Sequence, residues 1–220
     1  MPLSAEVDMK DKNSQSGYTL LEAIMFIALI SVVAVAIVNV SSKMLDRYRI
    51  SRATSQLMEI EKSIATRFAA APNYEKLKLG SQTTVNKFLK NEKLLPADVY
   101  WSGSTPYHKL GGKIVINSNY SGNVTGTGIY NAQGDTSIKP YNVFQVFFYG
   151  LSQNQCIELA TINWDNIEYN VLLTIQINGG NTFYWQKYNS SAKQFLPVTI
   201  AKAKQFCNKA KDNYIRWAFL

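Results

Sequence analysis

The chain has 220 residues, of which 46% are hydrophobic and 17% are charged, and its formal net charge is +8. This composition excludes a disordered chain and a membrane protein with many spans. It leaves room for one membrane-associated helix and one globular domain of ordinary size. The positive charge fits acidic partners such as nucleic acid or lipid head groups, although the basic residues are scattered as on an ordinary solubilising surface.

The first 17 residues are polar and contain no apolar segment. An ordinary secretory signal is excluded here, because the hydrophobic segment begins only after Gly17 and no small-x-small cleavage site follows it. The chain therefore begins with a short polar segment that precedes a hydrophobic one.

A single long helix is predicted from Tyr18 to Ala71, where 54 consecutive residues contain neither glycine nor proline. At 1.5 Å per residue such a helix is roughly 80 Å long, far longer than an ordinary globular domain can bury. Its first part, 18–40, carries one charge. These residues span roughly 35 Å, enough to cross a bilayer core of about 30 Å. We therefore predict a transmembrane helix over 18–40.

Glu22 is the single charge in that apolar part. A carboxylate inside hydrocarbon is expensive, although near a helix end it reaches the interface at lower cost. Thr19 and Glu22 also fit the T-x-x-E capping box, and an acidic side chain in the first turn is favoured by the helix dipole. From the residues themselves, a capping role and a recognition role for Glu22 are equally supported.

The second part of the helix is amphipathic. Apolar residues recur at steps of three and four and form one stripe, which we expect to lie on a globular domain: Ile50, Ala53, Leu57, Ile60, Ile64 and Phe68. Polar residues populate the other faces: Arg49, Arg52, Gln56, Glu59, Lys62 and Thr66. Pro72 is expected to end the helix.

The remaining chain mixes short helix and strand signals. Predicted helices are a segment capped by Ser81 and closed before Pro96, a segment capped by Ser152 that contains Cys156, and the segment 197–211 that contains Cys207. Residues 102–112 are expected to form a loop. Predicted strands are 112–119, 128–133, 141–149, 168–178, 181–188 and 213–220, with a hairpin turn at Gly179 and Gly180. The fold class is α+β, an antiparallel sheet packed on the amphipathic part of the long helix.

Catalytic and metal-binding motifs are sparse in this sequence. His108 is the single histidine, so a histidine triad or a multi-histidine metal site would depend on one loop residue. The sequence has no zinc-binding cysteine pairs, and its two glycine-rich stretches match phosphate loops poorly. We predict that the protein is not an enzyme and holds no metal or cofactor.

The two cysteines, Cys156 and Cys207, leave two readings open. In an exported protein an isolated pair most often forms a disulfide, whereas in a cytosolic protein it is usually two unrelated thiols. A bridge between them would close a loop of about 50 residues and tie together two predicted helices.

The run Gly17-Tyr18-Thr19-Leu20-Leu21-Glu22, the unbroken apolar helix after it and the late cysteine pair resemble the type IV prepilins. The 17-residue polar leader and the tyrosine after it look more like the type IVb branch, which includes the bundle-forming and toxin-coregulated pilins. Segments 110–116, 156–163 and 196–207 also look like that branch. The resemblance covers the leader, the helix and parts of the C-terminal half, and it does not assign residues 73–106.

This resemblance implies a role for several residues. Prepilin peptidase would cut between Gly17 and Tyr18, and Tyr18 would become the N-methylated first residue of the mature chain. Glu22 would be the acidic fifth mature residue, required for assembly, and would pair with the freed amine of Tyr18 on a neighbouring subunit. The resemblance also favours an exported domain, and with it a disulfide between Cys156 and Cys207.

The same resemblance implies partners and places. The prepilin would sit in the inner membrane, meet the pilus assembly platform and join a homo-oligomeric extracellular filament used for adhesion, aggregation or conjugation. Removing the leader would leave 21 basic and 12 acidic residues, net +9, so an anionic surface or DNA is a further possible partner. The implied parts are leader 1–17, filament-core half-helix 18–40, amphipathic half-helix 41–72 and head 73–220, which contains the disulfide-bounded region 156–207.

Two features depart from the expected pattern. Four basic residues just beyond the span, against two before it, would place the C-terminal side in the cytoplasm by the positive-inside rule, which the resemblance contradicts. The helix-breaking proline that type IVa pilins carry in the apolar half is absent. A minor pilin or a type II secretion pseudopilin would share every N-terminal feature, and a single-span anchored binding protein that never polymerises is the rival from another class.

Overall fold

The structure is a computed structural model, and it describes residues 19–78, 81–118, 142–164, 172–184 and 194–220. The chain divides into two compact units, Met1–Leu45 and Asp46–Leu220. Gly17, Tyr18 and the strand predicted at 128–133 lie outside the described residues.

Helix α1 extends over Leu20–Phe68, 49 residues, as the uninterrupted run of helix-compatible residues predicts. It ends slightly before the predicted boundary at Ala71. Ala69 and Ala70 form a turn, and the amide of Ala71 donates to the carbonyl of Phe68 at 2.8 Å. The chain therefore leaves the helix before Pro72, whose ring disfavours helical geometry in the preceding residue.

The second unit contains the rest of the described secondary structure. A short 3-10 turn occupies Glu75–Leu77. The other helices are α2 (Gln82–Asn91), α3 (Gln153–Ala160) and α4 (Ile200–Phe206). The strands are β1 (Tyr100–Ser102), β2 (Thr105–Tyr107), β3 (Ile114–Ser118), β4 (Phe144–Leu151), β5 (Leu172–Ile177), β6 (Asn181–Tyr184) and β7 (Asn213–Phe219).

Five strands form one antiparallel sheet in the order β3-β4-β7-β5-β6. The last strand of the chain, β7, therefore lies in the middle, between β4 and β5. Strands β5 and β6 form the hairpin predicted around Gly179 and Gly180. The predicted α+β class, a long N-terminal helix with an antiparallel sheet, is confirmed.

The core is made by one face of the sheet and the amphipathic part of α1. Every residue of the predicted stripe from Ile50 to Phe68 is buried there. Alternate residues of β3, β4 and β7 share this core: Ile114, Ile116, Phe144, Val146, Phe148, Ile215, Trp217 and Phe219. Residues between them in sequence lie on the opposite side of the sheet, which we call the second face.

Two predictions for the first part of the head were wrong in detail. Residues 102–112, expected to be a loop, include strand β2, which pairs with β1 around a turn where Gly103 has a φ of +59°. Pro106 is tolerated in β2 because a proline can occupy an edge strand. Ser81 precedes α2 as predicted, but its side chain makes no capping hydrogen bond, and the helix ends at Asn91.

Two predictions for the helices also need correction. Gln56, which was predicted to lie on a polar face of α1, is fully buried. Its burial is tolerated because the side-chain amide donates to Asp98 Oδ1 at 3.1 Å and accepts from the backbone amide of Lys109 at 2.9 Å. Cys207 follows α4 at its C-terminal boundary instead of lying within it. The predicted cap of α3 is confirmed, since Ser152 and Gln155 form a complete capping box.

Candidate functional site

The first candidate site is the beginning of α1. The backbone amide of Glu22 donates to Thr19 Oγ1 at 3.3 Å, which is one half of the predicted capping box. The Glu22 side chain is exposed, and across the described ranges it makes no ion pair. Thr19 therefore accounts for the cap, while the Glu22 carboxylate stays available to another group.

Large apolar side chains cover most of the surface of α1 around and after Glu22. Its large side chains are between 51% and 80% exposed: Leu20, Leu21, Ile24, Met25, Phe26, Ile27, Leu29, Ile30, Val32, Val33, Val35, Ile37, Val38 and Val40. None of the most apolar 18-residue stretch of α1 is buried within the protein. By length and composition α1 can cross a membrane.

The polar side chain of Ser31 fits that environment. Its Oγ donates to the carbonyl of Ile27 at 2.8 Å, within the same helix. A hydroxyl bonded in this way presents no unsatisfied donor to hydrocarbon. In a bilayer the Glu22 carboxylate, in the first turn of α1, would need a partner, because a carboxylate in an apolar environment is stable only when it is paired or neutralised.

The second candidate feature is the cysteine pair. Cys156, in α3, and Cys207, after α4, form a disulfide with Cα atoms 5.8 Å apart, and both residues are fully buried. The bridge ties α3 to the end of α4. Helix α3 contacts both α4 and the central strand β7. It closes the segment between the cysteines, which contains β5, β6 and α4.

His108, the single histidine, is buried and structural. Its Nε2 lies 2.9 Å from the carbonyl oxygen of Tyr149, its Nδ1 accepts from the Leu110 amide at 3.2 Å, and its ring stacks on Phe148. Burial lowers its pKa to about 4, so the imidazole is neutral near pH 7. Within the described ranges, no group of three or more His, Cys, Asp or Glu side chains is positioned to hold a metal ion.

An ion-pair cluster lies on the surface of the second unit. The guanidinium of Arg52 donates to both carboxylate oxygens of Asp98, at 2.6 and 2.8 Å, and to Glu59 at 2.7 Å. Hydrogen bonding from Arg52 lowers the pKa of Asp98, and the carboxylates raise the pKa of Arg52. The cluster fixes the segment around Asp98 on α1, and we assign it a structural role.

One residue that the sequence patterns did not single out is Arg216. It lies on the second face of β7 and is 8% exposed, and its Nε and Nη2 atoms have no hydrogen-bond partner among the described residues. The available signal was a charged residue between the apolar Ile215 and Trp217 in an otherwise apolar terminal strand.

Comparisons with known proteins give structural neighbours. No protein-family model and no curated protein matches the sequence. The structure is similar to the crystal structure of a type IVb pilin from Salmonella typhi, with 13% identity, a TM-score of 0.48, and coverage of 77% of this chain and 96% of that one. It is also similar to TcpA, a type IV pilin from the Vibrio cholerae El Tor biotype, with 11% identity, a TM-score of 0.48, and coverage of 78% and 98%.

Proposed function

We propose that the chain is the structural subunit of a type IVb pilus. The observation that carries the proposal is the apolar surface of α1 from Leu20 to Val40, exposed on every side, with one carboxylate at its beginning. Such a surface is stable in a bilayer, or among other helices of the same kind. The remainder of α1 is the spine of a folded head, so the same helix joins an anchor to a soluble domain.

The proposal includes a maturation step, which rests on the resemblance to the prepilins. In the proposal, prepilin peptidase cuts between Gly17 and Tyr18, and the new amine of Tyr18 is methylated. This amine would pair with Glu22 of a neighbouring subunit, neutralise both charges and set the axial stagger between subunits. Cleavage is required because that amine does not exist in the uncut chain.

Before assembly, the proposed pilin subunit would lie in the inner membrane. There the assembly platform would extract the mature subunit into an extracellular filament, and α1 would exchange lipid contacts for helix contacts. Association would rest on packing and polar pairing, since lipid is as apolar as the helix surface. The disulfide between Cys156 and Cys207 suits an oxidising compartment outside the cytoplasm.

The decisive experiment replaces Glu22 by Ala in the cell that makes the protein. Breaking a buried ion pair costs about 3 to 5 kcal/mol, so filaments in sheared surface material should disappear while the chain stays in the membrane. Asp46→Ala is the matched control, because Asp46 is an exposed acid on the same helix beyond the apolar part. Filament yield should be unchanged in this control.

Electron microscopy and composition of the sheared material separate the rivals. A filament built mainly of this chain supports the proposal, whereas filaments in which it is rare assign it to the minor pilins or pseudopilins. Wild-type filament yield from the Glu22→Ala chain contradicts the assembly role. A wild-type chain that stays in the membrane without any filament indicates the anchored binding protein.

A further inference from the structure

Arg216 lies at the centre of the second face of the sheet. In the strand register, Phe147 of β4 and Gln176 of β5 lie on either side of Arg216. These positions alternate with the core residues, so their side chains project away from α1. The guanidinium is therefore placed in the middle of a five-stranded sheet.

Arg216 has no described counter-charge. In the part of the chain that the structure describes, its buried Nε and Nη2 atoms have no hydrogen-bond partner and none of the ion pairs involves it. Burial lowers its pKa below the usual range, yet a guanidinium stays protonated in proteins. A buried, unpaired cation is costly, and an anion with two oxygens would satisfy both free donors.

Neighbouring positions on the same face repeat this pattern. Asn117 Oδ1, Gln145 Nε2 and Thr174 Oγ1 are each buried with no hydrogen-bond partner within the described ranges. Asn117 faces Gln145 across β3 and β4, and Gln145 and Thr174 both lie beside Ala218 of β7. Among the described residues, the second face thus combines unmatched donors with unmatched acceptors, and each of these groups calls for a partner.

An aromatic wall stands at one end of this face. The rings of Tyr149 and Tyr214 stack with centroids 5.0 Å apart, and Phe147 continues the row at 5.9 Å from Tyr149. Lys113 Nζ lies 4.6 Å above the Tyr149 ring. The two tyrosines are partly exposed and Lys113 is exposed, so this end is open to solvent.

We propose that the second face binds an acidic sugar, that is, a carboxylate carried on a pyranose ring. The carboxylate would lie against the Arg216 guanidinium, and the C–H face of the ring would pack on Tyr149 or Tyr214. Fork-shaped guanidinium groups match carboxylate geometry, and aromatic rings supply a rigid apolar wall with a hydroxyl handle. Lys113 adds a positive charge at the entrance.

Nucleic acid is the less favoured anion. A phosphate backbone is bound by a row of exposed cations, each neutralising one phosphate. On this face the described cations are Lys113 and the largely buried Arg216. One recessed guanidinium beside a short aromatic wall suits a single carboxylate better than a chain of phosphates.

The test uses the full chain in micelles of a polyoxyethylene ether detergent, which carries no sugar head group. Galacturonate is the probe, and its methyl ester is the uncharged counterpart with the same ring. Saturation-transfer NMR titration should show saturable binding of galacturonate at millimolar concentrations and at least tenfold weaker binding of the ester. The measurement needs no filament, so its failure leaves the proposed function untouched.

Arg216→Gln should weaken galacturonate binding at least tenfold, whereas Arg49→Gln, the same change at an exposed arginine of α1, should leave it unchanged. If Arg216→Gln fails to fold, Tyr214→Leu and the surface change Lys113→Gln replace it, and each should weaken binding.

Four outcomes overturn the proposal. They are no binding by the wild type, equal binding of acid and ester, a folded Arg216→Gln chain that binds as wild type does, and stronger competition by a short single-stranded DNA. Where Arg216→Gln does not fold, wild-type binding by the two replacement variants overturns it as well.

Discussion

The imidazole of His108 and the carbonyl of Tyr149 meet at 2.9 Å, and Gly112 packs against both groups. The contact joins the segment after β2 to the end of β4. Because Nδ1 accepts from the Leu110 amide, Nε2 carries the proton and donates to Tyr149. A neutral imidazole therefore has both nitrogens satisfied in the folded head.

Stability should fall with acid through the titration of His108. Its folded pKa of about 4 lies below its ordinary value of 6.5, so the unfolded chain binds more protons between these values. The contribution of His108 to stability is complete above pH 6.5 and is lost as the pH falls towards 4. The loss is about 3 kcal/mol, because each unit of difference between the folded and unfolded pKa corresponds to about 1.36 kcal/mol.

Denaturant unfolding of the wild type and of His108→Gln at several pH values measures this effect. The glutamine amide can still donate to Tyr149 but does not titrate there, so the slope between pH 4 and 6.5 should flatten. Carboxylates with lowered pKa, such as Asp98 and Glu92, are present in both chains and cancel in the difference. Identical slopes would exclude the proposed titration.

Gly112→Ala should destabilise the head. A Cβ at Gly112 would overlap the carbonyl oxygen of Tyr149 and lie 2.7 Å from His108 Nε2. Overpacking of this kind costs about 1 to 3 kcal/mol. Gly180→Ala is the control, because a Cβ there meets no atom within 4 Å and should change thermal stability little. Equal unfolding midpoints for the two variants would contradict the close approach at Gly112.

Removal of the disulfide should lower the free energy of unfolding by about 4 kcal/mol. This is the chain-entropy value for a loop of about 50 residues. Unfolding of the wild type with and without reductant, beside Cys156→Ala/Cys207→Ala, measures it. Reductant should destabilise the wild type and leave the double variant unaffected. Two alkylatable thiols in the folded, non-reduced protein would show that the bridge is absent.

Intact mass of the protein from its natural membrane tests processing. The mature chain should lack residues 1–17 and carry one added methyl at Tyr18. Gly17→Asp is expected to block the cut, since the peptidase would meet a charged side chain at the junction, and the mass should then include the leader. A wild-type chain that retains residues 1–17 in the membrane and on the cell surface would reject the proposed maturation.

Local patterns in the sequence determined which residues form the helix and several strands. Ile50, Leu57 and Ile64 recur at helical spacing, and burial of that stripe follows directly from the period of the helix. The N-terminal boundary of α3 followed equally well from Ser152, because an N-cap is made within the first turn of a helix. In each case the deciding interaction lies within one element.

Tertiary structure decided what depends on distant segments. Only folding places β7 between β4 and β5, and so sets Arg216 in the middle of the second face. Only folding brings Asp98 and Lys109 against Gln56. A side-chain period reports which face is apolar, whereas strand order and polar pairing depend on contacts between segments far apart in the chain. The sequence by itself determined the apolar helix and its carboxylate, and the fold decided which polar groups pair within the described part of the head.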